Sequence, residues 1–293
     1  MKKIIILVPI YNDWQSVSKL IDEININVKD LDSEFSVIVV NDASTEAQSI
    51  NIQNLDNLKS VRIMNMKENR GHARCIATGL KYIYENEEFD YVIPMDGDGE
   101  DRPEEIKFFL EEANYNPDKT IVGERVKRSE NLIFKLSYNV HKIITYTFTG
   151  QLIKFGNFTC LPKATVEKMI NDKATWSSFS GALTKVEKNI KASPSIRGTR
   201  YFGPSKMNFL NLVKHSLAII AVFKINVIFR SALFYAIYLY LISNNINFIT
   251  SIPLVLIIIF LISVLSISKR EDLNELKNSI NNLASFDKIK WFN

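Results

Sequence analysis

Apolar and polar positions along the chain follow two regimes. Up to about residue 205, short apolar runs alternate with amphipathic stretches. Lys3 to Ile10 is almost continuously apolar and β-rich, the pattern of a strand buried on both faces. From Asp13 to Asn27, Trp14, Val17, Leu20, Ile21 and Ile24 recur at helical spacing. Phe35 to Val40 and Val61 to Met64 read as a second and third strand, and Asn69-Arg70-Gly71 opens a helix running to about Asn86. Val92, Ile93 and Met95 mark a fourth strand, and Thr120 to Gly123 a fifth. Strands and helices alternating through short connections predict a doubly wound, mostly parallel α/β sheet. Right-handed crossovers then bring the turns at Tyr11, Asp42, Asn69 and Asp96 to one edge, where open sheets bind ligands. Between Asn131 and Phe155, Leu132, Phe134, Tyr138, Ile143, Tyr146 and Phe148 predict a pair of helices. A helix from Lys163 to Ile170 and the segment around Trp176 complete the far side of the sheet.

The second regime begins near residue 206. Met207, Leu210, Val213, Leu217 and Ile220 share one face of a predicted helix over 206–224, a pattern suited to the lipid interface. No charged residue occurs from Ser231 to Ser268, which is room for two membrane crossings of about 20 residues each. Asn244, Asn245 and Asn247 turn between predicted helices 225–243 and 248–267. Lys214, Lys224 and Arg230 precede the first, Lys269 and Arg270 follow the second, and the turn carries no positive charge. The positive-inside rule then puts both flanks in the cytoplasm, predicting a multi-pass protein of the inner membrane with a cytoplasmic N-terminal domain. Arg230 stands where it can snorkel to lipid phosphate. The domains expected are therefore 1–205, an interfacial helix 206–224, a hairpin 225–268 and a cytoplasmic tail 269–293. In the tail, Leu273, Leu276, Ile280 and Leu283 suit docking on the interface or on a partner helix, which leaves a homo-oligomer open. A hairpin buried in a soluble core is disfavoured, because the first 200 residues already make a full domain.

Bulk composition changes little. Hydrophobic and charged contents of 46% and 23% are ordinary. A net charge of +4, with no Lys/Arg block and no basic-aromatic alternation, argues against nucleic acid. Cys75 and Cys160 lack CxxC or zinc spacing and read as reduced core residues. The N-terminus carries only a short apolar run and no small-residue cleavage site, so it reads as a first strand and not a signal peptide. His72, His141 and His215 are too scattered for a metal motif and read as packing or surface.

The candidate chemistry sits at the end of the fourth strand. Tyr91-Val-Ile-Pro-Met-Asp-Gly-Asp-Gly-Glu100 closes in two carboxylates, Asp96 and Asp98, between glycines. A strand cannot hold those charges inside, so they belong at its carboxyl end. Two hard oxygen donors beside tight-turning glycines suit Mg²⁺ or Mn²⁺ carrying phosphate oxygens. A calcium-binding helix-loop-helix is disfavoured, because its sixth position is Asp101 and not Gly and the entry is a strand. Alone, such a motif is more often an acidic surface turn.

Four further motifs keep it company: Val8-Pro-Ile-Tyr-Asn-Asp13, Val39-Val-Asn-Asp-Ala-Ser44, Asn69-Arg-Gly71 with Ala77 and Gly79, and Gly123-Glu-Arg125-Val-Lys-Arg128. In this order and spacing the chain resembles the family 2 glycosyltransferases, inverting enzymes of the GT-A fold. The Gly123–Arg128 motif, and Arg200-Tyr-Phe-Gly203-Pro-Ser205-Lys206 ahead of a membrane hairpin, resemble the members that glycosylate polyprenyl phosphates. The resemblance implies a nucleotide-sugar donor held by Pro9, Tyr11, Asp13, Asp42, Asn69, Gly71 and Asp96. Tyr11 would stack on the base, Asp13 would accept from ribose and Asp42 would read the base edge. Asp98 would hold Mg²⁺ or Mn²⁺, with Glu100, where relatives usually have Gln, adding a third oxygen. Arg125 and Arg128 would share the charge of the departing diphosphate, or join Arg200 and Lys206 on an acceptor phosphate. Asn41, Ala43 and Asn157 depart from the family's Asp, Gly and Asp.

A phosphate monoester acceptor, with a second pKa of about 6, needs no strong general base, whereas a hydroxyl does. No carboxylate suggests itself as that base, which favours phosphate. The competing readings are a transferase acting on another lipid or glycan hydroxyl in cell-envelope biosynthesis, and a non-catalytic membrane scaffold. A nucleotidyltransferase would show glycines after the first strand, where Tyr11-Asn12-Asp13 has none; a processive synthase would show a Gln-x-x-Arg-Trp motif, in which none of Trp14, Trp176 and Trp291 sits.

Overall fold

The computed structural model describes residues 1–50, 55–127, 132–204 and 209–291. Its first strand, β1 (Lys2–Ile10), is buried from Ile4 onward and organises both cores. Successive strand side chains point to opposite faces. Ile4, Ile6, Val8 and Ile10 accordingly join one core with Trp14, Val17, Leu20 and Ile24 of α1 (Trp14–Asn27). Ile5 and Leu7 join the other with Ile76, Leu80 and Ile83 of α2 (His72–Asn86). That is why the run is continuously apolar: a parallel sheet covered on both faces leaves no polar side. Gly79 lets α2 lie directly on Leu7, where any Cβ would collide.

The chain continues through β2 (Ser33–Asn41), β3 (Ser60–Met66), β4 (Tyr91–Pro94), α3 (Ile106–Tyr115) and β5 (Thr120–Lys127). Next come α4 (Leu132–Thr149), β6 (Phe155–Pro162), α5 (Lys163–Ile170), α6 (Phe179–Val186) and β7 (Ile190–Ile196). With β8 (Leu283–Trp291) from the end of the chain, the sheet has eight strands in the order β7-β5-β6-β4-β1-β2-β3-β8. Strands β4, β1, β2 and β3 run parallel, pairing Ile10 with Asn41 and Leu7 with Pro94. The four turns at Tyr11, Asp42, Asn69 and Asp96 therefore do leave from one edge. Strand β6 runs antiparallel between β4 and β5. The helix pair expected between Asn131 and Phe155 is a single helix, α4, followed by β6: the aromatic residues there serve one long helix, and Phe158 and Cys160 pass into the sheet core.

Beyond β7 lie α7 (Phe209–Ala221), α8 (Lys224–Ile242) and α9 (Phe248–Ser268). Both α8 and α9 are long and apolar enough to cross a membrane. Asn247 caps α9 reciprocally with Thr250, which sets the hairpin turn. Large apolar side chains along the pair stand exposed, Leu241 at 71% and Ile262 at 62% among them, so the hairpin is not buried in the core of this chain. Arg230 donates to the carbonyl of Thr147 at 3.0 Å and so ties α8 to the end of α4.

The tail departs from expectation. After a short helix α10 (Leu273–Lys277), residues Leu283–Trp291 form β8, antiparallel to β3. Leu276 is buried with Trp176 and Ala77, and Leu283 and Phe286 pack on the α2-side core. The apolar spacing in the tail thus serves the sheet of the N-terminal domain, which the 1–205 boundary had left without its last strand.

Candidate active site

The end of β1 and the turn after β4 are pressed together. A Cβ on Gly97 would sit 3.3 Å from the Pro9 carbonyl. Pro9 is buried in this contact, while Tyr11 is 41% exposed on the edge. Asn12 adopts a left-handed φ of 50°, a conformation Asn tolerates better than most residues. Its side-chain oxygen accepts from the backbone of Thr45 at 2.8 Å and Glu46 at 3.1 Å, joining the first two loops.

Asp42 is 4% exposed and accepts from the backbone N–H groups of Arg70 at 2.7 Å and Gly71 at 2.8 Å. It therefore fixes the turn into α2, where the sequence suggested a base-edge contact. Gly71 enters that helix at φ 92°, and Asn69 is exposed beside it. The next residue, His72, places Nε2 3.3 Å from Asp96 Oδ1 and 2.7 Å from Asn157 Nδ2. Asn157 also donates to Asp96 at 3.0 Å. Scattered spacing reads His72 as packing or surface; its one signal is its place at a helix start that the topology carries to the acidic edge.

Asp96, Asp98 and Asp101 crowd one turn. Asp101 is 4% exposed and accepts from the Asp96 N–H at 2.9 Å, with Arg125 Nη2 3.8 Å away. Arg125 reaches the cluster across Gly156, where a Cβ would stand 3.1 Å from its guanidinium. Burial opposes ionisation of Asp96, yet the His72 hydrogen bond and charge, the Asn157 amide and Arg125 hold its carboxyl well below the usual range. Burial and the neighbouring Asp96 charge push Asp98 up to about 6 and Asp101 up to about 7. His72 is itself raised: burial works against its charged form, but Asp96 and the other two aspartates outweigh it.

The segment after β7 lies along this turn like a strap. Gly198 N donates to Glu100 O at 2.8 Å and Tyr201 N to Asp98 O at 2.9 Å. The Tyr201 ring rests on Gly99, whose φ of 88° and lack of Cβ both permit the contact. Arg200 bridges Asp98, at 2.9 Å, and Asp13. Arg197 pairs with Glu100. Of the predicted site residues, the fold thus brings together Asp13, Asp96, Asp98, Glu100, Arg125 and Arg200, and adds His72, Asp101, Asn157 and Arg197. Arg128 and Lys206 lie outside the described residues.

The donor chemistry suits a hard divalent cation, because the carboxylates outnumber the arginines and burial has lifted two of them. The ligand set is nonetheless thin. Glu100, expected as a third oxygen, is turned onto Arg197, and among the described residues no three His, Cys, Asp or Glu side chains are grouped to hold a metal. Such an ion would draw most of its ligands from bound phosphate and water.

Comparison with known proteins decides the family. A model described as glycosyl transferase family 2 matches residues 5–169, which takes in the strand-end motifs from Pro9 to Asn157. The chain belongs to that family. This family 2 glycosyltransferase is 26% identical over 222 residues to an undecaprenyl-phosphate 4-deoxy-4-formamido-L-arabinose transferase of Photorhabdus laumondii. A Klebsiella pneumoniae protein of the same description is 21% identical over 221 residues. Each match covers 73% of this chain and 65% of the relative's length. Among solved structures, glucosyl-3-phosphoglycerate synthase from Mycobacterium tuberculosis, in complex with Mn²⁺, UDP and its product, aligns with a TM-score of 0.53 at 13% identity. That alignment covers 77% of this chain and 80% of the synthase. A mannosyltransferase from Pyrobaculum calidifontis with GDP-mannose and Mn²⁺ aligns with a TM-score of 0.52 at 15% identity, covering 92% and 87%. These two likenesses place the fold: a GT-A-like sheet.

Proposed function

We propose that this glycosyltransferase moves a single sugar, with inversion, from a nucleotide-sugar donor to a polyprenyl phosphate at the cytoplasmic face of the membrane. The observation that carries the reading is the strap: the segment that lays Arg200 on Asp98 and Asp13 runs on into α7 and the apolar hairpin. A soluble acceptor would give no reason to join the acidic edge to two helices with lipid-compatible surfaces. The curated relatives, whose descriptions name undecaprenyl phosphate, support the same acceptor class.

The chain's own residues divide the work. Tyr11 offers a ring face at the edge where the base would lie, and Asp13 a carboxylate to the ribose once Arg200 yields it. Asp96, kept charged by His72 and Asn157, meets the transferred sugar. Asp98 would hold Mg²⁺ or Mn²⁺, whose chemistry when bound is to neutralise charge on the departing diphosphate. Arg125 and Arg200 add fixed positive charge at the same place. An acceptor phosphate monoester arrives largely deprotonated, so inversion by direct attack needs no side-chain base.

The test is turnover by purified full-length protein in detergent or nanodiscs. Release of nucleoside diphosphate from a panel of nucleotide sugars should require both undecaprenyl phosphate and Mn²⁺ or Mg²⁺. Asp98→Ala should lower turnover by about 100-fold or more. Turnover that ignores the lipid phosphate, or that survives Asp98→Ala, would overturn the acceptor or the metal assignment respectively.

A further inference from the structure

The strand that follows the hairpin does more than close the sheet. From β8, Asp287 Oδ2 accepts from Asn65 Nδ2 at 2.7 Å, and Ser285 Oγ lies 2.8 Å from the same amide nitrogen. Asn65 Oδ1 in turn accepts from Asn41 Nδ2 at 2.8 Å, and Asn41 Oδ1 accepts from Ser44 N at 3.0 Å. Ser44 Oγ then accepts from Asn12 N at 2.9 Å. The line runs from the end of the chain, across β3 and β2, into the two loops that flank Tyr11 and Asp13.

The direction of each link is set at its far end. A carboxylate side chain serves here as an acceptor, so Asp287 obliges Asn65 to present its NH₂ outward and its oxygen to Asn41. Asn41, 8% exposed, must then give its own NH₂ to Asn65, leaving its oxygen for Ser44. Both loops carry a residue with left-handed backbone, Asn12 at φ 50° and Ala43 at φ 53°. Such turns keep their shape only when surrounding bonds fix them.

We propose that Asp287 is a positioning residue for the nucleotide-sugar site, acting through Asn65 and Asn41 on the β1 and β2 loops. The inference rests on the donor-site reading of that edge. It makes the segment beyond the hairpin part of the donor machinery, although Asp287 itself touches no substrate.

A charge swap tests it in the full chain. Nucleotide binding is measured by calorimetry with UDP and with GDP, each with MnCl₂, and melting temperature is followed alongside. Asn41→Asp sets an acceptor against the Asn65 oxygen, and should weaken binding about tenfold, the effect of one misdirected hydrogen bond. Adding Asp287→Asn supplies a donor at the far end, lets the Asn65 amide turn round, and should restore affinity to within about threefold of wild type. A merely structural role would change melting temperature without this rescue of affinity. A double variant no better than Asn41→Asp, or an Asn41→Asp that binds like wild type, overturns the relay. A wild type that binds neither nucleotide overturns the donor-site reading instead.

Discussion

The two walls of the site hold their shape by opposite means. The β1–β2–β3 wall is a net of mostly neutral partners, Asn12, Asn41, Ser44 and Asn65, with Asp287 at its outer end and Asp42 held by two backbone N–H groups. The β4 wall is a knot of charge: Asp13 and Asp98 on Arg200, Glu100 on Arg197, Asp101 near Arg125, Asp96 near His72. Neutral directional bonds fix geometry and are indifferent to what charge arrives. Ion pairs whose cations come from a separate strap can exchange partners when an anionic ligand enters. One wall is therefore suited to recognition, and the other to the change of charge that group transfer demands.

The largest effect should come from the charged wall. Arg200→Ala leaves Asp13 and Asp98 facing each other without their shared cation, and turnover should fall about 100-fold. Arg200→Lys should recover little, because one ammonium cannot span two carboxylates as a planar fork does. Full activity in either variant would reduce the strap to a structural clasp and erase the contrast between the walls.

A smaller effect concerns pH. Asp101, held up at about 7 by burial and Asp96, and Asp98, held at about 6, bind protons more tightly in the folded protein than in the unfolded chain. The stability those protons supply is full below about pH 4 and is lost as pH rises through 6 to 7. Asp101→Asn keeps an acceptor for the Asp96 N–H but cannot titrate. Between pH 5 and 8 its melting temperature should therefore fall by roughly 4 °C less than that of wild type, read by scanning calorimetry. Identical pH profiles would mean that Asp101 carries no such burden.

The neutral wall offers the smallest change. Ala43 sits at φ 53°, a conformation that costs a residue with a Cβ about 1 kcal/mol relative to Gly. Ala43→Gly should stabilise the protein by about that amount in thermal melts. Destabilisation would show that the alanine methyl makes a contact outweighing the strain.

Much of this was legible in the residue pattern. The continuously apolar β1 run announced a strand covered on both faces, and parallel strand ends had to share an edge, so Asp13, Asp42 and Asp96 could be grouped before any coordinates. What stayed hidden depends on side-chain direction or on contacts distant in sequence. Nothing local to Asp42 reveals that two backbone N–H groups from the α2 turn will meet its carboxylate. Nothing near Glu100 in sequence announces Arg197, from the other end of the domain, as its ion-pair partner. The apolar spacing of the tail does not announce that Leu273 and Leu276 belong to helix α10 while Leu283 opens a strand, which the open side of β3 decides.

Strand β8 also imposes an order on biosynthesis. Asn65 and Asp287, bonded in the finished protein, stand 222 residues apart, and both apolar helices are synthesised between them. While the ribosome is still making those helices, β3 waits with one side open, a ready template for pairing with some other chain. If the helices enter lipid, their delivery must therefore keep pace with translation, and a delay there would surface as aggregation of a sheet whose own sequence is sound.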